Sequence, residues 1–233
     1  MEIYRTRPLL HRIPFEDGTR TRGSKISLRI VREGIPYILA PAVLSLILVA
    51  VGYWYVGLPF ILLTGFMCFF FRDPKRQPPD DPNAVVAPAD GRVMRVCSLD
   101  SGHKNSATLV SIFLSPLDVH INRAPIAGKI VDVSYTNGKF LMATDNNASL
   151  VNEQNALTIE GGKVTIVCKQ IAGILARRIV CWKSKGDQLA LGERFGLIKF
   201  SSRTDLILPE RIEVLVKEGM RVQGGTSIVG RIR

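Results

Sequence analysis

The chain has 233 residues, enough for one substantial domain with an appended segment. Its hydrophobic share of 46% and mean hydropathy of +0.17 exceed what a soluble core requires. The net charge of +11 suits an anionic surface, but no zinc knuckle, RNA-binding aromatic motif or basic recognition helix accompanies it, which excludes the common classes of nucleic-acid-binding protein.

The cysteines indicate neither a metal site nor a disulfide framework. Cys68, Cys97, Cys168 and Cys181 are far apart and include no Cys-x-x-Cys pair. We expect reduced thiols in a cytosolic domain, acting as small apolar residues, and no bound metal.

Residues 1–34 form a basic N-terminal arm that contains prolines and glycines. We expect it to be largely irregular, with a short helix at Lys25 to Glu33. The arm is too long, and the apolar run after it lacks the small-residue cleavage site, for a signal peptide. Its basic residues crowd towards the apolar run and favour a membrane surface: Arg5, Arg7, Arg12, Arg20, Arg22, Lys25, Arg29 and Arg32.

Residues 35–72 are predicted to be membrane-associated helices. Ile35 to Tyr55 meets the length of about 20 apolar residues that a membrane span needs. Gly57 and Pro59 are expected to break the run, leaving Leu58 to Phe71 as a shorter segment. Basic residues flank both ends, so a hairpin with both ends cytoplasmic fits best, with the aromatic stretch Tyr53 to Tyr55 at its tip. The alternative is a buried helix pair of a soluble protein.

Residues 73–84 form a proline-rich linker, and residues 85–233 a β-rich domain. Short apolar runs between glycine turns predict about 10 strands and hence a barrel or sandwich. Helix signals are few, at Leu141 to Asn146 and Leu150 to Gln154. The predicted strands are Val85 to Val86, Arg92 to Cys97, Thr108 to Phe113, Lys129 to Tyr135, Ala156 to Ile159, Val164 to Ile171, Arg178 to Cys181, Leu197 to Phe200, Thr204 to Leu208, Glu213 to Val216 and Ser227 to Arg231.

A glycine pattern occurs twice near the C-terminus. Gly186 and Gly192 repeat the spacing of Gly219 and Gly225, with a branched apolar residue midway in each copy. Glycine turns at fixed offsets are typical of a tightly folded β sandwich. The second copy resembles the barrel-sandwich hybrid of biotinyl and lipoyl carriers, but the Met-Lys hairpin that bears their cofactor is absent, which disfavours a carrier.

Three residue types that could carry chemistry follow predicted strands. Ser201 and Ser202 end the strand at Leu197 to Phe200, and a serine hydroxyl can attack the carbonyl of the peptide bond before it. His120 is the candidate base near neutral pH, and Asp90, in a Pro-Ala-Asp-Gly turn, could orient the imidazole. The alternatives are an ordinary serine turn, a structural histidine and a common Asp-Gly turn.

Two further features suit an anionic lipid. Arg177 and Arg178 follow a small-residue loop, and arginine forks suit carboxylate or phosphate, although surface charge near an anionic membrane explains them equally well. Lys139 and Phe140 follow an Asn-Gly turn and could rim a lipid pocket.

Taken together, these motifs resemble the phosphatidylserine decarboxylase family, in its short, membrane-associated bacterial type. Their order and spacing extend from about Ile35 to the C-terminus and leave only the basic arm outside. The resemblance rests on Phe71-Arg72-Asp73-Pro74, Ala87-Pro88-Ala89-Asp90-Gly91, Asp118-Val119-His120-Ile121-Asn122-Arg123, Gly138-Lys139-Phe140, Ile171-Ala172-Gly173-Ile174-Leu175-Ala176-Arg177-Arg178-Ile179, and Gly192-Glu193-Arg194-Phe195-Gly196 leading into Phe200-x-Ser202-Arg203.

The resemblance implies self-cleavage between residues 201 and 202. A β chain of residues 1–201 and an α chain of residues 202–233 would form a heterodimer, with a covalent pyruvoyl group made from Ser202 as the cofactor. That group would form a Schiff base with phosphatidylserine, and phosphatidylethanolamine would be released after decarboxylation. His120 backed by Asp90 would supply the base. The implied substrate contacts are Arg203, Lys139, Phe140, Arg177 and Arg178.

The resemblance also implies a location, the cell membrane with the catalytic domain on the cytoplasmic side. A homo-oligomer is left open by the sequence, as is a related serine lipid with another backbone as the substrate. A membrane-anchored barrel-sandwich adaptor of transport systems is disfavoured, because such adaptors carry coiled-coil hairpins and no heptad run exists here.

The chain departs from the family pattern in two places. Ser201 stands where the family usually has glycine, which would slow cleavage and leaves an uncleaved, inactive lipid-binding relative as the alternative. Arg123 stands where longer members carry a second histidine, so the role of base falls on His120 alone.

Overall fold

The computed structural model describes residues 29–99, 106–145, 147–174, 178–200 and 202–233. Most of the basic arm therefore lies outside the described residues, and only a 3-10 turn, Arg32–Gly34, precedes the first long helix. The helices are α1 (Ile35–Ala50), α2 (Trp54–Phe70) and α3 (Ala148–Val151). The strands are β1 (Ala84–Val86), β2 (Gly91–Leu99), β3 (Ala107–Leu114), β4 (Ile121–Arg123), β5 (Gly128–Thr136), β6 (Gln154–Glu160), β7 (Thr165–Ala172), β8 (Ile179–Cys181), β9 (Gln188–Leu189), β10 (Arg194–Ile198), β11 (Ser202–Pro209), β12 (Ile212–Val214), β13 (Arg221–Val222) and β14 (Ile228–Ile232).

The predicted helix pair is present, but its turn lies earlier than expected. The first helix ends at Ala50 rather than Tyr55, and Gly52 forms the turn with a φ of 87°. Gly57 and Pro59 lie inside α2 instead of breaking it. Gly57 faces α1 closely, since a Cβ atom there would meet Val49 Cγ2 at 3.0 Å. Its role is therefore close helix contact, which small residues commonly provide in membrane helices.

The helical hairpin exposes most of its apolar side chains and is closed at its base. Its 19-residue stretch Arg32–Ala50 is long and apolar enough to cross a membrane by length and composition, and only 17% of its most apolar 18-residue window is buried. At the base, the amide of Val31 donates to the carbonyl of Phe71 at 3.1 Å. The exposed apolar surface of the pair is a sign of membrane association.

The predicted β domain is confirmed as a curled, antiparallel eight-stranded sheet with two small sheets against it. The large sheet has the order β13-β2-β3-β11-β7-β6-β5-β9, and the small sheets have the orders β1-β14-β12 and β4-β10-β8. Aliphatic side chains such as Ile112, Leu157 and Leu206 fill the core and are fully buried. The strand β11 lies inside the large sheet, between β3 and β7, so its first residue is surrounded by structure.

The duplicated glycine pattern is also confirmed. Gly186, Gly192, Gly219 and Gly225 all have positive φ values, between 71° and 100°. Each copy therefore makes two turns that side chains rarely tolerate, with β9 or β13 between them. The helical signal expected at Leu141 to Asn146 corresponds to a turn at residues 143–144 rather than to a helix in the described residues 141–145. The second signal, Leu150 to Gln154, overlaps α3, a single helical turn that begins at Ala148.

Candidate active site where two sheets meet

The serine expected at the cleavage point lies where the chain changes sheets. The strand β10 ends at Ile198 in a small sheet, and Ser202 opens β11 in the centre of the large sheet. Ser202 pairs in register with Leu114 on one side and Ala172 on the other. Ser201, the other residue of the expected cleavage site, lies outside the described residues.

The backbone is strained two residues before Ser202. Phe200 has a φ of 60°, and it is the one non-glycine residue with a positive φ in the described part of the chain. For a bulky side chain this conformation costs on the order of 1–2 kcal/mol per residue. Strain of this kind persists only where the surroundings impose it, and it is common at functional sites.

The hydroxyl of Ser202 is buried without a partner. The residue is 0% exposed, and among the described residues its Oγ atom has no hydrogen-bond partner. A buried hydroxyl left unpaired costs roughly 1–3 kcal/mol, so such groups in folded proteins usually have a task other than stability. This oxygen is adjacent to the peptide bond between residues 201 and 202, as an internal nucleophile requires.

The imidazole of His120 is buried and has one nitrogen available. Its Nδ1 atom lies 3.0 Å from the carbonyl oxygen of Asp118, so Nδ1 carries the proton and donates it. The Nε2 atom is buried without a described partner and holds the lone pair. Burial lowers the pKa of His120 to about 4, and the hydrogen bond to Asp118 only partly opposes this. The histidine is therefore a neutral base at pH 7.

His120 and the end of β10 are tied through the backbone. The amide of Ile198 donates to the carbonyl of His120 at 3.2 Å, four residues before Ser202. The turn before the histidine is fixed by the Asp118 side chain, which accepts the Ser115 amide at 2.9 Å. The histidine loop and the strand junction are therefore held as one unit.

Among the described residues no hydrogen bond joins Asp90 to His120, so the contact expected in a Ser-His-Asp triad is absent from this structure. The Asp90 carboxylate accepts hydrogen bonds from Arg76 Nη2 at 2.6 Å and from the Gly224 amide at 2.7 Å. Burial raises the pKa of Asp90, while Arg76 and the Gly224 amide oppose the rise. Asp90 instead connects the linker to the C-terminal segment, and the backbone of Asp118 takes the place beside the imidazole.

Of the expected substrate contacts, Arg203 lies in the interior. It is 1% exposed, and its guanidinium donates to Asp205 at 2.7 Å and to Ser111 at 2.8 Å. The chain neighbour of the cleavage serine thus forms a buried ion pair in the sheet rather than an open lipid contact.

The other expected contacts lie at the surface around the junction. Arg178 is exposed, and its carbonyl accepts the amide of Lys199 at 3.3 Å. Lys139 and Phe140 are exposed on the segment between β5 and β6. That segment lies next to β7, because its Asn152 side chain donates to the carbonyl of Ala172 at 2.8 Å, and Ala172 is the strand partner of Ser202. Arg177 lies outside the described residues.

A buried polar network beneath the junction was not predicted from the sequence. Gln170 accepts from Asn155 at 3.0 Å and donates to Asn122 at 2.9 Å, and Asn122 donates to Thr204 at 3.1 Å. Polar residues at inward positions of apolar strands are the only signal that could have revealed it. The network ties the strand after His120 to the strand that Ser202 opens.

Asp73 joins three of the sequence motifs. Its carboxylate pairs with Arg123 and with Arg194, and Arg123 also donates to the carbonyl of Gly192 at 3.1 Å. Arg123, where the resemblance led us to consider a second histidine, is thus a structural ion-pair partner. Within the described ranges, no cluster of three or more histidine, cysteine or acidic side chains could hold a metal ion.

The fold and the site define a class of protein: a mainly β domain carried on an apolar hairpin, with a buried serine and a neutral histidine where two sheets meet. A family model described as phosphatidylserine decarboxylase matches residues 63–230, and the chain belongs to that family. The family predicted from the sequence motifs is thereby confirmed.

Individual relatives cover between 71% and 90% of the chain. The phosphatidylserine decarboxylase proenzyme of Carboxydothermus hydrogenoformans is 43% identical over 212 residues, which cover 90% of this chain and 99% of the relative. The protein of the same name from Geobacter sulfurreducens is 44% identical over 208 residues, covering 86% and 95%. That from Chlorobium phaeobacteroides is 46% identical over 167 residues, covering 71% and 79%.

Proposed function

We propose that this protein decarboxylates phosphatidylserine to phosphatidylethanolamine, using a pyruvoyl group that it makes from Ser202. The observation that carries the proposal is the buried, unpartnered hydroxyl of Ser202, two residues after the strained backbone of Phe200. The family and the names of the relatives support the substrate.

Self-cleavage would begin at the Ser202 hydroxyl. Oγ attacks the carbonyl carbon of residue 201, the C–N bond breaks, and an ester replaces the amide while the nitrogen of Ser202 becomes an amine. Loss of the Ser202 α-proton then expels the carboxylate of residue 201 and leaves dehydroalanine. Tautomerisation to an imine and addition of one water release ammonia and leave the pyruvoyl group. No hydrolysis of the peptide bond is needed.

His120 is the group suited to move these protons. Its Nδ1–H bond to the carbonyl of Asp118 fixes the ring and leaves the lone pair on Nε2. We propose that Nε2 accepts the hydroxyl proton of Ser202 during self-cleavage and later returns a proton to the substrate carbon that has lost carbon dioxide. Asp90 takes no part in this scheme, because its carboxylate is already held by Arg76 and Gly224.

Position 202 fits a pyruvoyl group. The hydroxyl there is a buried polar atom without a described partner, so its loss breaks no hydrogen bond. A pyruvoyl carbonyl supplies an electron sink for the departure of carbon dioxide. The exposed Arg178 and Lys139 at the edge of the site would bind the phosphate or carboxylate of the lipid.

The two cleaved chains would remain together as a heterodimer. The strand β11 pairs with β3 and β7 along its length, while β13 pairs with β2, and β14 pairs with β1. Residues 202–233 thus contribute strands to two sheets of the larger chain. Separation of the chains would break all four of these strand pairings, so we expect no release after cleavage.

The hairpin would hold the site at the cytoplasmic face of the cell membrane. Basic residues stand on both sides of the apolar segment, Arg29 and Arg32 before it and Arg72, Lys75 and Arg76 after it. Both ends would then lie on the cytoplasmic side, where basic residues flanking membrane segments concentrate. A lipid substrate could reach the site from the adjacent leaflet.

Intact-mass analysis tests the proposal directly. We expect the purified wild-type protein to give two chains of about 22 and 4 kDa by residue count, the smaller bearing a pyruvoyl terminus. The Ser202→Ala variant should give one uncleaved chain without decarboxylase activity on phosphatidylserine vesicles. His120→Asn should cleave at least about 100-fold more slowly, as the loss of a general base predicts. A wild-type protein that stays uncleaved and inactive would support the lipid-binding alternative instead.

A further inference from the structure

Three aromatic rings stand in a row at the base of the hairpin. The ring of Phe70, the last residue of α2, lies with its centroid 4.3 Å from that of the His120 imidazole. The same ring also stacks on Phe200, with centroids 4.7 Å apart and planes 24° from parallel. Phe70 is 1% exposed, although most of its helix faces outward. The membrane helix thus ends inside the candidate active site.

The end of α2 is fixed relative to the histidine loop. The carboxylate of Asp73 pairs with Arg123, three residues after His120, at 3.2 Å. The amide of Asp73 donates to the carbonyl of Arg29 at 2.7 Å, which joins the two ends of the hairpin. Phe70 therefore cannot move away from His120 without breaking these contacts or shifting the whole hairpin.

Phe70 has two effects on the groups that it touches. By covering the imidazole, it shields the ring from water, and Nε2 has no competing partner among the described residues. By stacking on Phe200, it supports the positive φ of that residue just before the cleavage point. Both effects act on the processing centre, which we define as Ser202, His120 and Phe200.

We propose that Phe70 is a positioning residue of the processing centre, and that the hairpin must be docked through Phe70 for self-cleavage to occur. The inference rests on the proposed self-cleavage at Ser202. It gives the hairpin a second role beside attachment to the membrane, because the helix that meets lipid also completes the site. It also assigns a role to the segment immediately before the Phe71-Arg72-Asp73-Pro74 motif.

The pH dependence of cleavage can test the role of Phe70, provided that the other charged groups around His120 are taken into account. The backbone of Asp118 bonds to Nδ1, while the Asp118 carboxylate is turned to the Ser115 amide and towards Arg221. From the end of α2, the charge of Arg72 disfavours protonation of the imidazole, but burial is the larger cause of the lowered pKa of His120. Removing the Phe70 ring would hydrate the imidazole and move its pKa back towards 6.5.

The experiment compares variants of the full-length chain, synthesised without cells in the presence of vesicles of phosphatidylcholine and phosphatidylglycerol. The variants are Phe70→Ala, Phe70→Leu and the matched control Phe69→Ala, whose ring is 43% exposed at the same helix end. The rate of cleavage is followed on gels from pH 4 to pH 8. Thermal unfolding of each variant in a Ser202→Ala background reports whether it folds.

We expect Phe70→Ala to cleave at least tenfold more slowly at pH 7. In the plot of cleavage rate against pH, the pH at which the rate falls on the acidic side should rise by one unit or more. Phe70→Leu, which keeps most of the volume and so remains folded, should shift this pH in the same direction, and Phe69→Ala should stay within twofold of wild type. An unshifted value of this pH in folded Phe70→Leu, or equal rates for the Phe70 and Phe69 variants, would overturn the proposal. Failure of the wild type to cleave would instead refute the proposed function.

Discussion

The Nδ1 atom of His120 lies 3.0 Å from the carbonyl oxygen of Asp118, two residues earlier in the same loop. A backbone carbonyl thus does what a buried carboxylate does in a Ser-His-Asp triad: it selects the tautomer and fixes the ring. Unlike a carboxylate, it adds no negative charge to stabilise an imidazolium. The histidine therefore stays neutral in its apolar surroundings, with a pKa lowered to about 4.

The first prediction concerns the pH dependence of stability. The folded imidazole takes up a proton only near pH 4, whereas in the unfolded chain it does so near 6.5. Between these values the unfolded state binds more protons, so stability rises with pH through this window and falls as the pH drops from 6.5 towards 4. We expect about 2–3 kcal/mol of unfolding free energy to be lost in this way.

Denaturant unfolding of the uncleaved Ser202→Ala protein at pH 4.5 and pH 7 measures this loss. The same measurement on a Ser202→Ala, His120→Asn double variant removes the contribution of the histidine, because an amide does not titrate. The difference between the two pH dependences isolates His120 from the carboxylates that titrate nearby. Equal pH dependences would show that the imidazole is not held neutral by burial.

The second prediction concerns Asp90, which lies against Arg76 and the Gly224 amide rather than the histidine. We expect Asp90→Asn to lower the unfolding free energy by about 1–3 kcal/mol, because the Arg76 guanidinium loses its charged partner and keeps, among the described residues, only the Gln223 side chain. Cleavage at pH 7 should stay within about threefold of wild type, with the same pH profile, since His120 does not depend on Asp90. Asp80→Asn, at an exposed acid in the linker, is the control. If a folded Asp90→Asn protein did not cleave, Asp90 would have to act together with His120 and Ser202, as in a Ser-His-Asp triad.

The sequence predicts the parts of this site that depend on local pattern. The strand that runs into Ser202, the loop around His120 and the duplicated glycine turns are all encoded within a few residues, by apolar runs, by Pro and Asp, and by glycines at fixed spacing. The histidine loop and the glycine turns occur where the pattern indicates, whereas the strand expected at Leu197 to Phe200 runs from Arg194 to Ile198 and ends before the positive φ of Phe200. The helix pair follows similarly from a long uncharged run.

The partners of these residues could not be predicted, because long-range packing selects them. The backbone amide that donates a hydrogen bond to the Asp90 carboxylate belongs to Gly224, 134 positions later in the chain. Phe70 is one of many apolar residues in an apolar run, and nothing in its neighbours distinguishes the ring that stacks on His120. Gly57 was expected to break a helix, because sequence pattern does not reveal the second helix against which it packs.

The third prediction concerns Ser201, at the position where the family resemblance led us to expect glycine. We expect Ser201→Gly to raise the rate of self-cleavage several-fold, because glycine adopts strained backbone more easily and leaves its carbonyl open to the Ser202 hydroxyl. Pulse-labelled protein sampled on gels gives the rate, and Ser201→Ala is the control that removes the hydroxyl but keeps a Cβ atom. Equal rates for Ser201→Gly and the wild type would mean that backbone freedom at this position does not limit cleavage.

The last prediction tests the close contact inside the hairpin. A Cβ atom at Gly57 would meet Val49 Cγ2 at 3.0 Å and the carbonyl oxygen of Ser45 at 3.2 Å, whereas Gly65 in the same helix has nothing within 4 Å. We expect Gly57→Leu to force α1 and α2 apart and to lower the thermal midpoint of the protein in detergent, while Gly65→Leu leaves it nearly unchanged. Because the far end of α2 carries Phe70, the Gly57→Leu variant should also cleave more slowly. Equal midpoints for the two leucine variants would show that helix contact at Gly57 does not stabilise the hairpin.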